Sequence, residues 1–315
     1  MKERERILEL WDAAQHAGES AVLATVVKTQ GSSYRLPGAR LLLTQSGQHA
    51  GSISGGCLEA ELLKKAWWLT ENGPVVRRYD TTPEGEISEG GFGLGCNGII
   101  HVLLERLAPG NAPVLELIRG VHQQRRPAGV THPTGWEETL NPPPRLLICG
   151  AGDDAVPLAE LAKYLGWQVF ISDGRAHYAR RDKFPQADGV SVRVGPSAAV
   201  DPWTVAVIMS HSYSQDLDVL RELASQPLRY LGILGPHKRT VQLLADAGLD
   251  VTRLEAKLHS PMGLDLGADG PEQVALAVIA EIQAALNGRE GGALRERDGS
   301  IHGHESPWVQ SIVCA

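Results

Sequence analysis

From Arg145 onward the chain alternates short apolar runs with longer amphipathic ones, and few folds accept that order. RLLICG (145–150) reads as a buried strand, GDDAVPLAELAKYLG (152–166) as a helix and WQVFISD (167–173) as a second strand. VAVIMSH (205–211), SQDLDVLRELAS (214–225) and YLGILG (230–235) continue as strand, helix and strand, with further helices at 236–248 and 271–286. Strands separated by helices cannot pair as tight hairpins, so the connections must cross over and the strands must run parallel. The expected fold class is α/β, with a Rossmann-like doubly wound parallel sheet in the C-terminal half.

The first strand of that half runs into Gly150-Ala-Gly152-Asp-Asp-Ala155, which fits G-x-G-x-x-A, and Asp173 closes the next strand. In a dinucleotide site the glycines let a pyrophosphate reach the backbone at a helix N-terminus, and an acid about 20 residues on takes a ribose hydroxyl. Gly150, Gly152 and Asp173 are therefore candidate cofactor-binding residues, and an NAD(P)-dependent oxidoreductase is one reading of the chain. Asp153 and Asp154 oppose it, because two carboxylates stand where backbone N–H groups would receive an anion. Capping the following helix, for about 1 kcal/mol, is the structural role open to them. His211 ends a strand at the carboxyl edge, where such sheets present ligands, and joins the candidates; His259, before Ser260 and Pro261, shares its ambiguity.

The N-terminal part reads as a mixed α/β unit. Ile7, Leu8, Leu10, Trp11 and Ala14 predict an opening helix, and strands are expected at 21–29, 39–44, 75–79 and 99–107. Two of its loops, GSISGGCLE (51–59) and GGFGLGCNG (90–98), each set a cysteine among glycines. Glycine admits close approach to the backbone, and a thiolate is a soft ligand. Cys57 opens a breaker-free helical run, and a helix N-terminus lowers a thiol pKa. Cys57 and Cys96 are thus candidate metal ligands, with Gly55, Gly56, Glu59, Gly95 and Asn97 beside them. A third loop, GSSYRLPG (31–38), offers Gly31, Ser32, Ser33 and Arg35, with Arg40 close by, as hydroxyls and guanidinium groups suited to a phosphate. A thiol redox protein that uses Cys57 and Cys96 as a dithiol is the further alternative.

The expected domains are residues 1–107, a linker at 108–144 that carries one helix candidate and a proline cluster, a Rossmann-like unit at 145–290 and a flexible tail at 291–315. His302, His304 and Cys314 fall in that tail, and Cys149 belongs to a core strand. A net charge of -7 over 315 residues opposes general binding to nucleic acid or an anionic membrane, and no apolar run is long enough to span one. Four cysteines are too few for a disulfide scaffold, which favours a reduced, cytoplasmic setting. Base rates favour a homodimer.

GSSYRLPGA (31–39), GSISGGCLE (51–59), GCNG (95–98), LLICGAG (146–152), YLGILG (230–235) and HSPMGLDLGADGPEQVALAV (259–278) together resemble the XdhC/CoxI family. Its members are maturation proteins for molybdenum hydroxylases such as xanthine dehydrogenase. The resemblance covers nearly all of residues 1–288. It implies a non-catalytic carrier that receives molybdenum cofactor (molybdopterin), protects it while a cysteine desulfurase supports oxo-to-sulfido exchange, and delivers it to an apo-hydroxylase. The position after Gly152, often His in related sequences, is Asp153 here, and the polar tail after residue 290 lies outside the pattern.

Overall fold

The computed structural model describes residues 2–31, 33–81, 98–133 and 135–296, with Cys57 described by its backbone. Among these the chain forms two compact units that divide between Pro142 and Pro143.

The N-terminal unit contains α1 (Lys2–His16), β1 (Ala21–Gly31), β2 (Arg40–Thr44), β3 (His49–Gly51), α2 (Cys57–Leu69), β4 (Val75–Asp80), β5 (Gly98–Leu107), α3 (Pro113–Gln124), β6 (Ala128–Thr131) and β7 (Glu137–Leu140). Its first five strands make an antiparallel sheet in the order β3-β2-β1-β5-β4. Val22, Ala24 and Val26 of β1 pack with Leu58, Leu62 and Ala66 of α2. Ala21 and Leu23 point the other way, into a core with Ile7, Trp11, Leu115 and Ile118. Covering both faces explains why β1 is buried along its first seven residues instead of alternating.

Residues 108–144 are not the linker expected from their prolines. Leu115, Ile118 and Val121 recur at a spacing of three, and this face of α3 is buried in the same core as α1. Pro113 sits at the first turn of α3, where its missing N–H costs nothing. β6 and β7 pair as an antiparallel hairpin, and Val130 and Leu140 join that core. Residues 108–142 complete the N-terminal unit.

The second unit contains β8 (Arg145–Cys149), α4 (Ala155–Tyr164), β9 (Gln168–Asp173), β10 (Gly189–Val192), β11 (Thr204–Ile208), α5 (Tyr213–Ala224), β12 (Tyr230–Ile233), α6 (His237–Ala247), β13 (Leu258–His259) and α7 (Pro271–Leu286). The strands are all parallel, in the order β10-β9-β8-β11-β12-β13. This is the doubly wound arrangement, and the strand order reverses between β8 and β11. No helix among the described residues is long and apolar enough to cross a membrane.

Candidate functional site

Three loops leave the N-terminal sheet at one end. β1 finishes at Gly31, which pairs with Gly98 at the start of β5, and β4 finishes at Asp80 opposite Ile99. Thr81 ties the end of β4 to the start of β5. Its N–H and hydroxyl donate to the Gly98 carbonyl at 2.9 and 2.7 Å, and its Oγ1 accepts from the Gly98 N–H at 3.1 Å. β3 ends at Gly51, opposite Leu41 near the start of β2, so the loop 52–56 leaves the same edge. Gly95, Cys96 and Asn97 of the expected site, and Ser32, lie outside the described residues, as do His302, His304 and Cys314.

The loop before α2 is wrapped around one carboxylate. Glu59 Oε1 accepts from the N–H groups of Ile53 and Ser54 at 2.8 Å and from the Ser52 hydroxyl at 2.9 Å. Oε2 accepts from the Gly56 N–H at 2.8 Å and from the Ser54 hydroxyl, whose oxygen in turn receives the Leu58 N–H at 3.0 Å. Gly55 and Gly56 adopt φ values of 91° and 135°, which this tight turn requires and other residues rarely adopt. α2 then starts at Cys57. The sequence offered Glu59 as a cofactor contact or proton acceptor; the structure commits both of its oxygens to the loop.

Burial alone would raise the Glu59 pKa, but the Ser54 hydroxyl and the loop N–H groups outweigh it and hold the carboxyl at about 2, below its ordinary value of 4.5. The unfolded chain takes up that proton near its ordinary value while the folded loop does so only near the lower one. The contribution of Glu59 to stability is therefore complete above about pH 4.5 and is lost as pH falls toward about 2. Glu59→Gln is expected to cost about 2 kcal/mol at neutral pH, the worth of hydrogen bonds to a charged acceptor. Urea unfolding across pH should show a gentler acid decline for the variant. Parallel curves for the two proteins would contradict this account.

Glu3 of α1 joins two of the loops. Its Oε2 lies 2.6 Å from Arg35 Nη2, and its Oε1 accepts from the Ser52 N–H at 2.7 Å. Ser33 is buried and donates to the Arg35 carbonyl at 3.0 Å. Tyr34, whose ring is exposed, rests against Gly55: a Cβ there would lie 3.3 Å from its Cε1. Arg40 does not face the loops. It is buried with its guanidinium on Glu138 and on the Gly38 carbonyl at 3.0 Å. The sequence did not single out Glu3, Tyr34 or Thr81. Only Tyr34, an aromatic among the glycine-loop residues, offered a signal.

In the second unit the glycine turn is filled by the chain itself. Asp173 Oδ2 accepts from the Ala151 N–H at 3.0 Å, and both of its oxygens bind Arg175 at 2.8 Å. Although burial opposes it, Arg175 and the Ala151 N–H keep the Asp173 carboxyl below its usual range. Lys183 reaches the Ala151 carbonyl at 2.8 Å and Asp153 at 2.7 Å. Asp154 Oδ2 lies 2.7 Å from His211 Nε2, and its Oδ1 occupies the space that a Cβ on Gly152 would need. Neither Asp153 nor Asp154 caps α4 through its side chain, contrary to expectation; each is drawn to a basic partner instead. An acid engaged by its own Arg175 is not a free ribose acceptor, so this turn does not fit a dinucleotide. His259 stacks on Tyr230 with ring centroids 4.3 Å apart and lies 3.3 Å from Glu281.

Comparison with known proteins is consistent across both units. Residues 146–282 match the XdhC Rossmann domain and residues 14–80 match the XdhC and CoxI family. A Bacillus subtilis (strain 168) protein, named as a probable xanthine dehydrogenase subunit, is 32% identical, over 86% of this chain and 94% of its own length. The "Molybdenum cofactor insertion chaperone PaoD" of Escherichia coli (strain K12) is 27% identical, over 88% of this chain and 86% of its own. A crystal structure from Bacillus halodurans, described as a xanthine dehydrogenase, superposes with a TM-score of 0.76 at 28% identity, covering 90% of this chain and 96% of that one. With a relative of that identity and coverage, and with both family matches falling on the two units just described, the chain belongs to the XdhC and CoxI family.

Proposed function

We propose that this protein binds molybdenum cofactor at the loop end of its N-terminal sheet, protects it during sulfuration and passes it to a molybdenum hydroxylase of the xanthine dehydrogenase type. The observation that carries the reading is that the strand ends Gly31, Gly51, Asp80 and Gly98 lie at one end of the sheet, with α2 starting at Cys57. A cysteine at the first residue of a helix is placed where the thiolate is favoured. The names of the relatives from Bacillus subtilis and Escherichia coli support the same assignment.

Cys57 and Cys96 are assigned to the metal, and Gly31, Ser32, Ser33, Arg35, Gly55, Gly56, Gly95 and Asn97 to the organic part of the cargo. The exposed Tyr34 ring offers a face on which a flat heterocycle can stack. Glu59 holds the loop open for this purpose without touching the ligand. A cysteine desulfurase is the expected sulfur source, the apo-hydroxylase the expected recipient, and the cytoplasm the expected setting. No nicotinamide role is assigned to Gly150, Gly152 and Asp173, because their turn is closed by Lys183, Asp154 and Arg175.

Isolation of the protein without oxygen from cells that make the cofactor tests the reading. Denaturation should release a fluorescent oxidised pterin together with molybdenum. Cys57→Ser should keep the native circular dichroism and retain roughly tenfold less pterin, the loss expected for one strong charge-assisted contact. A pterin-free protein from cells whose hydroxylase carries the cofactor would overturn it.

A further inference from the structure

The strand register sets three basic side chains side by side. Lys28 of β1 is directly opposite His101 of β5, and His101 is directly opposite Arg78 of β4. Cross-strand partners share a face, so all three lie on the sheet face opposite Tyr79 and Ile100, which pack toward α2. Lys28 and Arg78 are exposed and His101 is half-buried between them. Lys28 and Arg78 are each opposite His101 and not each other, so like-charge repulsion of up to about 1 kcal/mol per pair arises only when the imidazole is protonated. Asp80, on the same strand and face as Arg78, accepts from it at 2.8 Å and offsets part of one charge. Burial, then Lys28, then Arg78 lower the pKa of His101, which places the three groups within electrostatic reach of one another.

We propose that the row Lys28–His101–Arg78 is a binding site for a phosphate monoester. It lies three residues along β1 and β5 from Gly31 and Gly98, where the loops of the candidate site begin. A dianion above the row is held by the Lys28 ammonium and the Arg78 guanidinium and favours protonation of His101 between them, which adds a third charge-assisted contact. Only the identity of the ligand rests on the cofactor reading: the phosphate of the pterin cargo is the group assigned to this row. An anion site on the sheet stands or falls separately.

The imidazole signals of His101 in the isotope-labelled full chain, assigned through His101→Gln, report the site directly. Inorganic phosphate, added at an ionic strength held constant with sodium chloride, should shift them saturably and raise the titration midpoint of His101. Lys28→Gln and Arg78→Gln should each weaken this response roughly tenfold, the worth of one charge-assisted hydrogen bond. Lys28→Gln should match the native chain in stability in phosphate-free buffer, because Lys28 is exposed on the sheet, so unfolding cannot explain its weaker response. A response equal to that in sodium chloride alone, or undiminished in both variants, would overturn the site. Because no molybdenum or pterin is used, failure here is distinguishable from failure of the cofactor reading.

Discussion

Gly150→Ala should cost about 4 kcal/mol, more than a marginally stable domain can readily lose. A Cβ at this position would lie 2.4 Å from both the carbonyl carbon and the oxygen of Met209 and 2.6 Å from the Ser210 nitrogen. All three are backbone atoms at the end of β11, which pairs with β8 through Ile208 and Cys149, so they cannot turn aside as a side chain would. The φ of 129° adds strain for any residue with a Cβ. Overpacking of about 1–3 kcal/mol and backbone strain of similar size set the total. Gly152→Ala is the control. Its Cβ would meet Asp154 Oδ1 at 2.4 Å, a side-chain atom able to rotate away at the expense of the His211 contact. Thermal unfolding should therefore show a large fall for the first variant and a shift of about 1 kcal/mol for the second. In a dinucleotide site the second glycine is the one that admits the ligand. Here its space holds a carboxylate of the same turn, so a comparable loss in both variants would contradict the filled-turn geometry.

The same turn shows which features were legible in the sequence. Strand RLLICG, the helix after it and Asp173 at the next strand end occupy β8, α4 and the end of β9, because local periodicity encodes them. The role of Asp173 was not legible, since a motif records an acid at the right spacing but not that Arg175 turns back onto it. β10 carries no buried residue and β13 is two residues long, so neither offered a run to detect. Residues 108–144 misled for the opposite reason: the prolines in 142–144 outweighed the apolar face of α3, which is decided by packing on α1. In the candidate site the two glycine loops stood out, whereas the carboxylate that shapes one of them looked like a ligand contact. A buried acceptor for five or more loop donors is a property of the folded chain that spacing does not show.

A pair 98 residues apart in sequence leads to the second large effect. Arg40 and Glu138 are both buried, and His132 Nε2 approaches the same carboxylate oxygen at 3.1 Å. Burial, then Arg4, lower the Arg40 pKa to about 9, so this cation is costly to hold without its partner. Glu138→Gln leaves a buried guanidinium facing a neutral amide, and the expected loss is about 3–5 kcal/mol. Replacing both partners removes the desolvation cost along with the attraction. Arg40→Met with Glu138→Leu should therefore recover most of the loss, as buried pairs exchanged for apolar groups of similar volume commonly do. Urea unfolding of Arg40→Met, Glu138→Leu and the double gives the coupling, expected to exceed about 2 kcal/mol; additive losses would show that the pair does not act as a unit. Cofactor retention should behave differently. Arg40 also donates to the Gly38 carbonyl at 3.0 Å, so its side chain ties down the root of one site loop. The double variant is expected to regain stability while still retaining less pterin than the native chain, because methionine cannot restore the bond to Gly38.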